Sequence, residues 1–116
     1  GITYTTNHAG FKITRAASGT ASLFATQADG TTETASAALR TITDAVSELD
    51  LILEINGTTS IDYYTRLDHG ALSAATNLTA NMPSITTTNQ IVTFVDSNVG
   101  VATRSQIQVF GSSYMR

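Results

Sequence analysis

The sequence contains no cysteine and only one proline among its 116 residues. Without thiols the chain has no disulfide, no cysteine nucleophile and no cysteine metal ligand, but a domain of this length buries a sufficient core without them. The lack of cysteine therefore leaves the cellular compartment open. No run approaches the roughly twenty apolar residues that cross a bilayer, and the N-terminus lacks the layout of a signal peptide. We expect no membrane partner.

Positive charge is also scarce. Six Lys and Arg face nine Asp and Glu, which gives a net charge of -3, and the cations are spread along the chain. Nucleic acids and acidic membranes are bound by clustered cations, so neither is an expected partner. Only 13% of the residues are charged, whereas Thr is the most frequent residue, followed by Ala and Ser. This mixture is typical of β-structure with hydroxyls on its exposed face.

The motifs of cofactor and metal sites are missing as well. The glycines form neither GxGxxG nor GKS/GKT, which disfavours nucleotide binding. No His or Cys pair has the spacing of metal ligands, and the stretch after Asp29 lacks the alternating acids of a calcium loop. We therefore predict no cofactor and no metal.

His8 and His69 are the only side chains that titrate near neutral pH, and both fall in predicted turns. Asp68 precedes His69, but adjacent residues of an extended chain point apart, and no serine lies in a strained nucleophile turn. A metal site of His8, His69 and Asp68 would require the fold to unite distant turns. We predict no catalytic residue and no enzymatic activity.

The longest regular pattern lies in residues 31–56. Its apolar residues recur every three or four positions, which places them on one side of an α-helix. They are Ala35, Ala38, Leu39, Ile42, Ala45, Val46, Leu49, Ile52 and Leu53. Glu33 would lie at the positive end of the helix dipole, and Gly57 would follow the last turn in a left-handed conformation. The pattern predicts a helix of about six turns.

The end of this segment, LILEI before an Asn-Gly pair, also fits a strand that enters a tight hairpin turn. Pairing across that turn would set Leu53 opposite Ser60 and Leu51 opposite Asp62, so neither face would be purely apolar. We therefore favour the helix. Its last turns, with Leu51 and Ile55 off the main stripe, would be buried in the core or against another subunit.

Other segments alternate apolar with polar residues or are rich in aromatic and β-branched residues, as strands are. The predicted strands are residues 2–6, 11–15, 22–26, 60–67, 85–88, 91–95 and 101–110, and residues 7–10 are predicted as a turn. Residues 71–82 fit a short helix and an ordered loop equally well. We find no internal repeat and no linker. The expected architecture is one α+β domain, residues 1–116, with an antiparallel, Thr-rich sheet packed on one long amphipathic helix. The alternative is a β-sandwich with a helical insertion.

The chain is small, free of cysteine and rich in Thr, Ala, Ser and Asn, with TTT and TTNQ stretches and an N-terminal glycine. In these features it resembles small virion proteins of tailed bacteriophages, such as head-decoration or tail components. The resemblance lies in overall composition. It implies a structural subunit of the virion that contacts its own copies and a major capsid or tail protein.

Such a subunit would make its contacts through sheet edges and the apolar end of the helix. The predicted interface residues are Ile2, Tyr4, Leu51, Ile55, Tyr63 and Tyr64. The alternative function is an extracellular or cell-surface module that binds glycans, with Tyr63 or Tyr64 as an aromatic platform beside the loops at 7–10 and 96–100. Asn56 and Asn77 begin glycosylation sequons in form, which would matter only after export from a glycosylating cell.

Overall fold

The structure is a computed structural model that describes residues 7–15, 20–43 and 45–84. These residues form seven β-strands and no helix. The strands are β1 (His8–Arg15), β2 (Ala21–Ala28), β3 (Glu33–Ala35), β4 (Arg40–Ile42), β5 (Leu49–Asn56), β6 (Ser60–Leu67) and β7 (Thr76–Leu78). The prediction of an α+β domain is therefore wrong, because the segment assigned to the long helix, residues 31–56, forms β3, β4 and β5 instead.

The strands make two antiparallel sheets. In the first, β2 pairs with β1 on one side and with both β3 and β4 on the other. In the second, the order is β5-β6-β7. The alternative prediction, a β-sandwich, also included a helix, and the described residues contain none.

The hairpin of β5 and β6 shows why the helix prediction failed. Residues Gly57 to Thr59 connect the strands, with Asn56 paired to Ser60, so the register differs from the one that a two-residue turn would give. Leu53 consequently lies opposite Tyr63 and Leu51 opposite Thr65. The shift moves every side chain of β5 to the other face relative to β6. In the observed register the apolar face of β5 lies beside Ile61 and Tyr63 of β6, which removes the objection to a strand.

The remaining predictions have mixed outcomes. The strands at 11–15, 22–26 and 60–67 are confirmed as parts of β1, β2 and β6. The turn at 7–10 is wrong in large part, since β1 begins at His8. Residues 71–82 form no helix but contain β7. The predicted strands at 2–6, 85–88, 91–95 and 101–110 lie outside the described residues, so the single domain over 1–116 stays a prediction.

The two sheets repeat one design that the sequence analysis missed. In each, a hairpin is followed by a Ser-Ala-Ala segment, residues 36–38 and 73–75, that leads into a three-residue strand on the far side of the hairpin. Ser36 makes two hydrogen bonds with the backbone of Ala25. The Ser36 N–H donates to the Ala25 carbonyl, and the Ser36 Oγ accepts from the Ala25 N–H, both at 3.0 Å. Ser73 does the same with Thr65, both at 2.9 Å.

Each serine also donates its hydroxyl hydrogen to the carbonyl of the next residue, Ala37 or Ala74. The serine hydroxyl oxygen thus accepts the central-strand N–H that would otherwise bond to a carbonyl of the neighbouring strand. It does so at the point where the chain leaves the sheet. A buried N–H of the central strand stays satisfied in each case. The repeated Ser-Ala-Ala segment is therefore a structural device that lets a strand bulge outward without leaving its neighbour unpaired.

The core lies where the two sheets face each other. Ala25 of the first sheet packs with Ile61 and Tyr63 of the second, and all three are fully buried. The ring of Phe11 meets Tyr63 edge to face, with centroids 5.4 Å apart, an arrangement that aromatic pairs favour. β6 thus contributes its alternate residues to the core.

Polar groups inside the core are also paired. The Tyr63 hydroxyl lies 3.1 Å from the Thr26 carbonyl and 3.2 Å from Gln27 Oε1, and it donates toward both. The buried Gln27 side chain in turn donates through Nε2 to the Ala80 carbonyl at 2.6 Å. These bonds tie β6 and the segment after β7 to β2. Burial, opposed by the backbone of Gly10, raises the pKa of the Tyr63 phenol far above its ordinary value.

Replacing Ser36 by alanine should lower the free energy of unfolding by about 1 to 3 kcal/mol, because the N–H of the buried Ala25 would lose its acceptor. Ser73→Ala should have a similar effect through the Thr65 N–H. Ser47 is exposed, and Ser47→Ala is the matched control with no expected change. Urea unfolding of the three variants measures this. Equal stability of all three would show that the serine bonds do not matter.

Tyr63 predicts a loss of stability at alkaline pH. The phenol stays neutral in the fold but ionises in the unfolded chain near its ordinary pKa of about 10, so the free energy of unfolding should fall as the pH rises above that value. Tyr63→Phe should be less stable at neutral pH but should show a shallower decline above pH of about 10. Urea unfolding at a series of pH values tests this, with Tyr64→Phe as the comparison, since the pKa of that surface phenol is raised less and its removal should flatten the decline less. Parallel declines in the wild type and Tyr63→Phe would contradict it.

Candidate functional site

One polar cluster links three strands on the face of the first sheet opposite Ala25. The Thr26 hydroxyl donates to Glu33 Oε1 at 2.5 Å and lies 3.3 Å from His8 Nε2. This is a His-Thr-Glu chain, which could suggest a nucleophile between a base and an acid. Thr26 is buried, however, with 4% of its surface exposed, so its hydroxyl is not offered to a substrate. The cluster holds β1, β2 and β3 together.

A second cluster closes one end of the second sheet. Asp68 Oδ1 accepts the N–H groups of Ser47 and Glu48, both at 2.8 Å. His69 Nε2 lies 2.8 Å from Glu48 Oε2. Asp68 and His69 both have positive φ, at 47° and 58°, which fits a tight turn. His69 is thus held at the surface by its contact with Glu48, and its neighbour Asp68 binds the backbone just before β5.

The two histidines considered in the sequence analysis therefore contact residues of different sheets. His8 contacts β2, whereas Asp68 and His69 contact the segment before β5. Across residues 7–15, 20–43 and 45–84, no three His, Asp or Glu side chains come together in a way that could hold a metal ion. The condition for a metal site of His8, His69 and Asp68, that the fold bring these residues together, is not met.

An open cavity of about 470 Å³ lies between the two Ser-Ala-Ala segments, with Tyr63 and Thr65 in its wall. Arg40 is its cation and donates through Nε to Thr65 Oγ1 at 2.9 Å. Both serine hydroxyls at its rim are already bonded to backbone groups. The cavity therefore follows from the two bulges and offers no nucleophile paired with a base.

The most unusual surface of the described residues is strand β5. Four of its large apolar side chains are exposed, Leu51 at 39%, Ile52 at 41%, Leu53 at 37% and Ile55 at 37%. Leu51, Leu53 and Ile55 share a face with Thr65, Tyr63 and Ile61 of β6, which are buried under the first sheet. The first sheet therefore covers β6 but leaves β5 partly uncovered.

β5 is also an edge strand. Within residues 7–15, 20–43 and 45–84 it pairs only with β6, along its full eight residues. One side of its backbone thus presents a row of N–H and C=O groups that no described strand satisfies. Long, apolar edges of this kind are templates for pairing with another chain, and soluble proteins usually guard them with charges.

The equivalent strand of the first sheet carries such guards. Matching the hairpins at the residues bonded to Ser36 and Ser73 sets Lys12 of β1 against Ile52 of β5, and Arg15 against Ile55. Cations on an edge discourage pairing with another sheet. The same design is therefore guarded at β1 and apolar at β5. We define the β5 edge as Leu51, Ile52, Leu53 and Ile55 with the backbone of this strand.

The predicted interface residues are distributed over several environments. Leu51 and Ile55 belong to the β5 edge, although the sequence analysis assigned them to a helix. Tyr63 is buried in the core, so it forms neither a surface contact nor a platform for sugars. Tyr64 lies on the outer face of β6, where partial desolvation and the charges of Glu54 and Asp62 raise the pKa of its phenol. Ile2 and Tyr4 lie outside the described residues.

Ile52 and Leu53 are the members of the edge that sequence reasoning did not select. A hairpin with a three-residue connection would have found Leu53, because it places Leu49, Leu51, Leu53 and Ile55 beside the apolar residues of β6, whereas Ile52 lies on the other face. Their exposure could not be foreseen, since it depends on how far the first sheet reaches.

Comparison with known proteins gives no match to a family model, to a curated protein or to a solved structure. The described part of the chain also has no helix that could span a membrane. The candidate site therefore rests on the geometry of the β5 edge alone.

Proposed function

We propose that the protein is a non-enzymatic structural subunit of a homo-oligomeric assembly, and that the β5 edge is one of its contact surfaces. The observation that carries this proposal is the exposure of four large apolar side chains on an edge strand whose charged residues, Asp50 and Glu54, lie on the face opposite Leu51, Leu53 and Ile55. The support differs from the sequence argument, which placed Leu51 and Ile55 at the end of a helix. The residues are the same, but the surface is a strand.

The energetics favour an assembly with several contacts. Full burial of a Leu or Ile side chain contributes about 1.5 to 3 kcal/mol, so covering the exposed part of each residue of the β5 edge adds roughly 1 kcal/mol. The four together supply roughly 4 kcal/mol, which only reaches the lower end of the estimated cost of immobilising one protein on another. The β5 edge therefore acts together with edge hydrogen bonds and further contacts.

The polar side chains of the described residues also support a structural role. His8, Thr26 and Glu33 bond to one another across three strands, and Asp68 and His69 bond to the segment before β5. These groups stabilise the fold by the bonds that they make. We propose, from the resemblance in composition, that the assembly is a viral particle, with capsid decoration or a tail component as the role and a major capsid or tail protein as a further partner.

Leu53→Lys should dissociate the oligomer, because a cation would then project from the middle of the apolar edge. Ile13→Lys is the matched control, since Ile13 occupies the equivalent position of β1 and is 55% exposed. Size-exclusion chromatography with light scattering on the full chain, over a range of concentrations, measures both. We expect a defined oligomer for the wild type and Ile13→Lys, and a smaller species for Leu53→Lys.

A wild-type chain that stays monomeric at all concentrations would contradict the proposal. An unchanged oligomer in folded Leu53→Lys would remove the β5 edge from it. Circular dichroism of each variant checks that the fold is intact.

A further inference from the structure

We infer that β5 pairs antiparallel with β5 of a second copy of this chain, with the two-fold axis passing at Leu53. This inference rests on the proposed function and names the partner of the same edge. It joins the two β5-β6-β7 sheets into one continuous sheet of six strands, three from each copy.

The apolar face of β5 suits a copy of itself. Leu49, Leu51, Leu53 and Ile55 occupy consecutive positions on the face that continues the core side of β6. In an antiparallel pair, opposing side chains lie on the same face. Any register that keeps this face aligned therefore sets Leu or Ile against Leu or Ile over the central pairs. An isologous contact requires such a self-complementary surface.

The carboxylates on the other face select the register. Centring the axis on Ile52 would set Asp50 opposite Glu54 twice, and centring it on Leu51 would set Glu48 opposite Glu54 twice. An axis at Asp50 or Glu54 would oppose each of these acids to its own copy. Like charges directly opposite one another are destabilising.

An axis at Leu53 avoids every such contact. It sets Leu51 opposite Ile55, and it sets Asp50 opposite Asn56 of the other copy. Glu54 then lies opposite Ile52. Among axes centred between Asp50 and Glu54, this is the one that sets no carboxylate directly opposite another, and it pairs β5 continuously from Asp50 to Asn56.

One of the two acids of β5, Asp50, already has its cation within its own chain, which favours a copy over a basic strand of another protein. Asp50 forms an ion pair with Arg66 at 2.6 Å. The Tyr64 hydroxyl donates to Glu54 Oε2 at 3.4 Å. Both acids lie on the face opposite Leu51, Leu53 and Ile55, so an apolar strand of matching pattern complements that apolar face. β5 itself is such a strand.

The absence of cysteine makes the test direct, because a single introduced thiol has no competitor in the chain. Leu53→Cys should form a disulfide-linked dimer on mild oxidation, since the axis sets position 53 opposite itself, with Cβ atoms about 5 Å apart. Ile52→Cys and Leu51→Cys should link at least about tenfold more slowly, because their partners in this register are other residues. Ile13→Cys, on the equivalent strand β1, measures random collision.

A mixture of Leu51→Cys and Ile55→Cys chains provides a second measurement on different residues. These positions are opposite one another in the proposed register, so the mixture should yield a linked heterodimer faster than either variant alone. Non-reducing gel electrophoresis and mass spectrometry of the full-length oligomer report both experiments, and light scattering is run on the same samples.

The outcomes separate this inference from the proposed function. A defined oligomer in which position 53 links no faster than position 13 would overturn the β5 pairing but leave an assembly with other contacts, including one with a different protein strand. Faster linking at position 52 or 51 would overturn the register. A monomer that shows no linking above the Ile13→Cys level would remove both proposals.

Discussion

The register between β5 and β6 is the constraint on which the rest of the structure depends. Pairing Asn56 with Ser60 places Leu53 beside Tyr63 and Ile55 beside Ile61, so the apolar residues of both strands share one face. A slip by one residue would turn that face of β5 away from the one that carries Tyr63. Tyr63 packs on Phe11 and donates to the Thr26 carbonyl of the opposite sheet. The hairpin loop at residues 57–59 sets this register. It therefore determines which residues of β5 lie beside Tyr63, the residue that joins the two sheets, and which residues of β5 lie on the other face.

The sequence predicted well the strands whose alternation is uninterrupted, such as β6, where Ile61, Tyr63 and Thr65 point inward. It failed between residues 31 and 56 because β3 and β4 are only three residues long and are separated by a bulge. Short apolar patches spaced by such interruptions produce a three-and-four spacing without a helix. The repeated Ser-Ala-Ala segments carried the missing signal, but their meaning lies in the hydrogen bonds to Ala25 and Thr65, which spacing alone does not specify.

The candidate site was predictable in part and for a reason that proved wrong. Leu51 and Ile55 were selected because a helix would be apolar all round at its end, whereas the structure exposes them on an edge strand. Whether residues 49–56 are interpreted as a helix or as a strand, they carry more apolar side chains than one core can bury. The sequence shows that excess under both interpretations. Tyr63 shows the opposite case, since an aromatic residue on a strand is equally compatible with a surface or a core until the packing of the second sheet is known.

The two sheets share a design, so their differences are informative. At equivalent positions of the outer strands, β1 carries Lys12 and Arg15 where β5 carries Ile52 and Ile55. The central strands also differ, since Tyr63 of β6 occupies the position of Leu23 in β2 and adds the hydroxyl that bonds across the core. Both hairpins form equivalent backbone hydrogen bonds and pack on the core, and β1 does so while carrying Lys12 and Arg15 on its edge. The apolar edge of β5 is therefore not required by the fold, and its cost in solubility is explained if β5 is covered by a partner in the working assembly.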